Sequence, residues 1–424
     1  MIVVKIGGKI MFNNVYPREK YLKKIRPFYD SDIIKVITGI RRCGKSFILK
    51  AIMNELIDRG IPKTQIIYIP LDRRGYKNIK TSEELETKIE SMLGDDENYY
   101  LFIDEVQNVF GFESVIHAYA EEGYSIFLTG SNSYLLSDEI STKLTGRYLN
   151  FETFTLDFSE YLEMKRFFKK KIDQDIYVEF EEYILNGGFP KTIEFDDIQA
   201  RQTYTRGIIS EIFEKDVKTR KRISNVPVYE RVQSFLLNNY SAPFSLSNLL
   251  ECLEKEGYKT KATTVRGYIE DLKKAKIIYE CNRFDLKSKK SLRREQKYYL
   301  SDLAIYFAKN TDNRLSYGPS LENMVYLYLA SQDYQISIGK IGKLECDFIT
   351  RNTSGDYAYI QVTYTMQGED IKATERIKER EYRPFRKIRD GYPRYIVSLD
   401  RFRDQQEGVH HINAIDLFLG KEKI

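Results

Sequence analysis

The apolar positions of this chain change rhythm three times. Between Ile33 and Leu156, short apolar runs (IIKVITG, QIIYIPLD, YYLFIDEV, YSIFLTGSN and YLNFETFTL) alternate with stretches of helical periodicity. In KSFILKAIMNELIDRG, for example, Phe47, Leu49, Ile52, Met53, Leu56 and Ile57 recur at helical spacing. Such alternation predicts a parallel sheet covered on both faces. Each run carries its polar residues at its C-terminal end, where open parallel sheets bind ligands. From 158 to about 215 the pattern is helical, broken by NGGFP at Asn186–Pro190, a turn by composition.

A boundary follows at ISNVPVYE (223–230). Three helical stretches, YERVQSFLLNNY, SLSNLLECLEKEG and KATTVRGYIEDLKKAKI, then precede two strand-like pieces, IIYECNRFDL and QKYYLSD. The basic stretch KSKKSLRRE between those pieces completes the outline of a winged helix-turn-helix. From about Leu315 come a helix (LENMVYLYLASQ), a strand (YQISIG), the stretch LECDFITRNTSGDYAYIQVTY, a charged helix and RYIVSL. That reads as a second, smaller α/β unit. The expected domains are 1–215, 216–312 and 313–424.

Bulk properties narrow the class. A chain of 424 residues exceeds what one core serves. With 42% hydrophobic and 30% charged residues it reads as a globular protein without a membrane partner, since no stretch nears the ~18 apolar residues of a span. The start, MIVVKIGGKIMFNNV, is a poor signal peptide. Cys43, Cys252, Cys281 and Cys346 lie far apart without a CxxC pair, which argues against structural zinc or disulfides and for the cytoplasm. The net charge of +5 is modest, but Lys273–Lys297 holds ten Lys/Arg against Glu280, Asp285 and Glu295. Such a helix and wing suit the DNA backbone, with Thr263, Thr264, Arg266 and Tyr268 on the presumed recognition helix. A solvated charged face, or a protein-docking module, is the plainer alternative.

The chemistry sits earlier. Gly39-Ile40-Arg41-Arg42-Cys43-Gly44-Lys45-Ser46 matches G-x-x-x-x-G-K-[ST] after a strand and at the start of a helix. Glycines let backbone N–H groups wrap phosphates and the helix N-terminus adds its dipole, so the loop from Gly39 to Phe47 is the expected ATP cradle. Lys45 suits the β- and γ-phosphates, and the Ser46 hydroxyl suits Mg²⁺. In YYLFIDEV the apolar strand ends in Asp104, suited to Mg²⁺, and Glu105, suited to polarising the attacking water. After IFLT, Ser131 or Asn132 suits the γ-phosphate or the water, and a helix N-cap explains them equally. Arg147 in LTGRY is the candidate arginine finger, serving a neighbouring copy in a homo-oligomer; a surface or salt-bridged arginine is the competing reading.

Together, GIRRCGKS, FIDEVQ, FLTGSNSYLL, LTGRY and LNGGFP resemble, in order and over nearly the whole chain, the prokaryotic AAA-like ATPases with a C-terminal restriction-endonuclease-like domain. The resemblance implies an α/β fold of the AAA (ASCE) P-loop type, in which the IFLT strand lies between the phosphate-loop strand and the FIDEV strand. It also implies a functional Arg147 and a restriction-endonuclease-like α/β domain after the winged helix. Nucleases of that kind hold Mg²⁺ on carboxylates beside a lysine. Here Glu322, Asp347 and Gln361 are the candidate ligands, Gln361 is neutral, and Thr363 stands where the lysine belongs. Lys372 on the following helix is the candidate substitute. The reading is an ATPase coupled to a DNA- or partner-binding C-terminal region without nuclease activity. The alternatives are an ATP-regulated DNA nuclease and a nucleotide-dependent switch that does not hydrolyse.

Overall fold

The computed structural model describes residues 11–96, 98–130, 147–218, 223, 225–310, 317–403 and 405–424. It divides into two compact units, Met1–Thr153 and Phe154–Ile424.

Five parallel strands form the sheet of the first unit: β1 (Ile34–Gly39), β2 (Ile66–Pro70), β3 (Tyr100–Asp104), β4 (Ser125–Thr129) and β5 (Tyr148–Thr153). Their order is β2-β3-β4-β1-β5, so β4 lies between the phosphate-loop strand and the FIDEV strand as expected. Successive residues of a strand face opposite sides, and both sides here are apolar. Ile37, Tyr100, Phe102 and Phe127 pack with α1 (Glu19–Ile25) and α2 (Lys45–Asp58). Val36, Ile69, Leu101, Ile103, Ile126 and Leu128 pack with α3 (Ser82–Glu90) and α4 (Phe112–Glu121). Full burial of each such side chain is worth about 1.5–3 kcal/mol. The stacked Phe102 and Phe127 rings, 4.5 Å apart, fix the neighbouring strands. Pairing of Ile37 with Thr129 and of Pro70 with Asp104 brings the polar strand ends to one edge.

The second unit begins with helices α5 (Phe158–Phe167), α6 (Ile176–Asn186) and α7 (Ile198–Ile212). Next come α8 (Val226–Asn238), α9 (Leu246–Lys255), α10 (Ala262–Lys274), the hairpin β6 (Ile278–Asp285) and β7 (Lys290–Leu300), and α11 (Ala304–Lys309). The chain closes with α12 (Tyr317–Ser331), β8 (Gln335–Ile341), β9 (Leu344–Arg351), β10 (Tyr357–Val362), α13 (Ile371–Tyr382), β11 (Arg394–Ser398), β12 (His410–Asn413) and α14 (Ala414–Phe418). One seven-stranded sheet, in the order β12-β11-β10-β9-β8-β6-β7, runs through it.

This arrangement differs from the expected boundaries at 215 and 312. The helices from 158 onward belong to the second unit. The hairpin of the winged-helix outline is the edge of the same sheet as the C-terminal strands, because β6 pairs in parallel with β8. Periodicity reports which residues are buried, not which partner buries them. The NGGFP turn shows how the helices are tied in. Gly188 N donates to Asp302 at 2.8 Å, and the other oxygen of that buried carboxylate accepts from Ala304 N at 2.9 Å.

The basic segment is also less exposed than its composition suggested. Arg283 pairs with Glu295 and Glu345, Lys297 with Glu322 and Glu345, and Lys273 with Glu270 and Glu280. Tyr268 is buried against Tyr229 and is not offered to a ligand. Lys274, Lys287, Lys289 and Lys290 remain exposed. Among the described residues no helix is long and apolar enough to cross a membrane.

Candidate nucleotide-binding site and the C-terminal carboxylates

Gly39 ends β1 with φ +145°, and a Cβ there would lie 2.1 Å from the Thr153 carbonyl oxygen. Only glycine lets β5 approach this closely. The loop then turns through a Cys43 N to Ile40 O bond of 3.2 Å, with Arg42 (φ 69°) and Gly44 (φ 105°) both left-handed, before α2 starts at Lys45. Lys45 is buried, its Nζ donating to the carbonyls of Gly39 (3.0 Å) and Ile40 (3.3 Å), which places the ammonium inside the loop. Two residues on, Phe47 is 48% exposed, with the Lys50 ammonium 4.5 Å from its ring centre. Arg18 braces the loop from outside. It is buried, lies over the Tyr21 ring and donates to the Cys43 carbonyl at 2.9 Å. No motif marks Arg18 in the sequence.

The second half of the site is a hydrogen-bonded chain that joins α2 to the ends of β3 and β4, with Tyr68 of β2 beside it. Ser46 Oγ donates to Asp104 Oδ1 at 3.0 Å, and the Thr129 hydroxyl donates to the same oxygen. Tyr68 OH donates to Asp104 Oδ2 at 3.1 Å. Burial pushes the Asp104 carboxyl above its usual range, against the hydrogen bonds of Thr129, Ser46 and Tyr68. Glu105 follows with φ 61°, its N–H donating to Thr129 Oγ1 at 2.9 Å and its Oε2 accepting from Gln107 at 2.5 Å. A non-glycine residue in the left-handed region costs about 1–3 kcal/mol and clusters at functional positions. Thr129, fully buried, therefore joins both acidic residues, a contact that no motif marks in the sequence. Asn132 and Ser131 lie outside the described residues.

Arg147 is placed elsewhere in this chain. Its carbonyl accepts from Ile34 N at 2.9 Å, at the opposite end of β1 from Gly39. Six strand residues separate that end from the phosphate loop, about 16 Å at the usual rise. Its guanidinium pairs with Glu121 at 2.8 Å with both side chains half exposed, an interaction worth at most about 1 kcal/mol.

In the second unit, Glu322 (α12) and Asp347 (β9) share a partner, while Gln361 (β10) touches Asp347 through a 3.3 Å bond from the Asp347 N–H. Asp347 lies within β9, which runs on to Arg351. Thr363 accepts from Arg380 at 3.4 Å. Lys372 is exposed on α13 beside Glu375, Arg376 and Glu379. The lysine among these carboxylates is Lys297 of β7, which the sequence reading counted as a surface cation. Burial opposes its charge, but Glu322, Asp347 and Glu345 raise its pKa well above the ordinary value. Among the described residues, no three His, Cys, Asp or Glu side chains are grouped as a set able to hold a metal.

Comparison with known proteins agrees with this geometry. Residues 31–162 match the model of an AAA domain, and residues 177–314 match a domain of unknown function (DUF8612). An uncharacterized protein of Haemophilus influenzae is 29% identical over 95% of this chain and 98% of its own length. Uncharacterized protein MJ1544 of Methanocaldococcus jannaschii is 28% identical over 97% of this chain and 93% of its own. The Walker-type ATPase paby2304 of Pyrococcus abyssi superposes with a TM-score of 0.50 at 18% identity, over 72% of this chain and 98% of that one. The first unit therefore has a fold like that of P-loop ATPases, and residues 31–162 are similar to an AAA domain.

Proposed function

We propose that the chain binds ATP with Mg²⁺ at the Gly39–Phe47 loop, hydrolyses it, and couples the cycle to its second unit. The observation that carries this is the bonded series Ser46–Asp104–Thr129–Glu105, which joins the loop helix to two further strand ends. Ser46 and Asp104 are hard oxygen donors bonded at 3.0 Å, a pair suited to Mg²⁺ that keeps several of its waters. The bound ion would neutralise charge building on the β- and γ-phosphates. Lys45 moves from the Gly39 and Ile40 carbonyls to the phosphates. Glu105, held by its backbone N–H, accepts a proton from the attacking water. Steady-state ATP hydrolysis is the test. Wild type turns over and Lys45→Ala does not; turnover that survives this substitution removes the assignment.

Arg147 is assigned to the site of another copy, since its own loop lies at the far end of β1. Arg147→Ala and Glu105→Gln proteins, each slow alone, then regain hydrolysis when mixed. A mixture as slow as its parts rejects the role.

The second unit is read as a winged helix fused to a restriction-endonuclease-like sheet that binds DNA without cutting it. Lys287, Lys289 and Lys290, exposed at the hairpin turn, support phosphate contact. Removing all three as alanines should lower the slope of log affinity against log salt by about 2–3 for duplex DNA of any sequence. An unchanged slope in fluorescence anisotropy excludes the hairpin as the DNA surface.

A further inference from the structure

Three carboxylates of the second unit converge on one buried ammonium. Lys297 Nζ lies 2.8 Å from Glu322 Oε1, 2.8 Å from Glu345 Oε1 and 3.7 Å from Asp347 Oδ1, and its side chain is 3% exposed. The acids come from two separate elements, α12 and β9. Each is also held in place by other bonds. Tyr299, two residues along β7 from Lys297, donates to the same Glu322 oxygen at 2.7 Å. Arg283 of β6 pairs with Glu345, and Asp347 Oδ2 accepts from Val362 N at 2.8 Å.

Carboxylate oxygens are the donor type that Mg²⁺ and Mn²⁺ take, but with Lys297 among them these three form no set able to hold a metal. Like charges packed this closely in a buried place need a cation, and removing one partner of such a group leaves uncompensated charge. We propose that Lys297 is the built-in cation of this cluster: it stands where a divalent ion would otherwise be held, and makes the second unit refractory to metal and to metal-dependent cutting of nucleic acid. The lysine arrives from the hairpin, and so the same contact fastens β7 to α12 and β9. This also gives the acids a role beside a neutral Gln361 and Thr363. They serve the ion pairs, and the chain needs no second lysine from α13.

The test is Mn²⁺ binding to the full chain without nucleotide, followed by electron paramagnetic resonance. Wild type and Asp347→Asn should give the same isotherm. Lys297→Met, which keeps the aliphatic stem without the charge, should gain an Mn²⁺ site that disappears when Asp347→Asn is added. Wild-type binding that is lost in Asp347→Asn overturns the proposal, as does a folded Lys297→Met protein that gains nothing. If Lys297→Met does not fold in metal-free buffer, recovery of its far-ultraviolet circular dichroism by Mn²⁺ but not by Na⁺ is the supporting outcome. Failure of Mn²⁺ to restore the fold counts against the proposal.

Discussion

Glu105→Gln protein is expected to bind ATP as wild type does and to hydrolyse it about 10²–10⁴-fold more slowly, the usual contribution of a positioned general base. The substitution keeps the shape of the side chain and its bond to Gln107, while removing the capacity to take a proton. Its backbone is held independently, because the N–H bond to Thr129 does not involve the carboxylate. The left-handed conformation at φ 61° is equally open to glutamine and glutamate, so folding should be unaffected. Affinity and rate therefore separate in this variant, whereas Lys45→Ala should lose both. Equilibrium binding of a fluorescent ATP analogue and single-turnover hydrolysis, measured on the same preparation, check the split. A Glu105→Gln rate within a few-fold of wild type would move the catalytic base to another residue.

The second large effect concerns stability. Gly187→Ala is expected to destabilise the protein by about 2–4 kcal/mol, through named local causes. Gly187 has φ 73° and ψ −174°, a region that is essentially reserved for glycine. An added Cβ would stand 2.0 Å from Asp302 Oδ1 and 2.6 Å from the Ala304 side chain. Displacing Asp302 would leave the Gly188 and Ala304 N–H groups without their acceptor inside the fold, at about 1–3 kcal/mol for each group left unpaired. Gly207→Ala is the control, since it lies within α7 and its Cβ would meet nothing within 4 Å. There alanine should be neutral or stabilising by up to about 1 kcal/mol. Thermal melts of the two variants beside wild type give the answer. Equal midpoints for Gly187→Ala and Gly207→Ala would show that the Asp302 clamp does not matter.

How far the sequence reads depends on whether a feature is local. The phosphate loop is eight consecutive residues, and the acidic pair closes an uninterrupted apolar strand. Each is legible because its geometry follows from neighbours in the chain. The five apolar runs of the first unit became five strands for the same reason, since a sheet buried on both faces leaves a continuous hydrophobic signature. The winged-helix outline was legible as elements but not as a separate body. Three helices and a hairpin formed where the pattern placed them, yet the hairpin joined its neighbour's sheet through β6 and β8.

What tertiary structure decided is the set of partners. Arg18 on Cys43, Tyr68 and Thr129 on Asp104, and Lys297 among Glu322, Glu345 and Asp347 all join distant parts of the chain. Burial periodicity reports that a position is enclosed, and composition reports that it carries a charge. Neither says which opposite group the fold brings within 3 Å. That is why a run of basic residues looked like one DNA-facing surface, when Lys273, Arg283 and Lys297 are in fact committed to acids of their own unit. The sequence alone determined the loop, the acidic pair and the elements that carry them, because these depend on adjacent residues. Strand pairing and side-chain convergence determined the rest, because those energies exist only once the chain has folded.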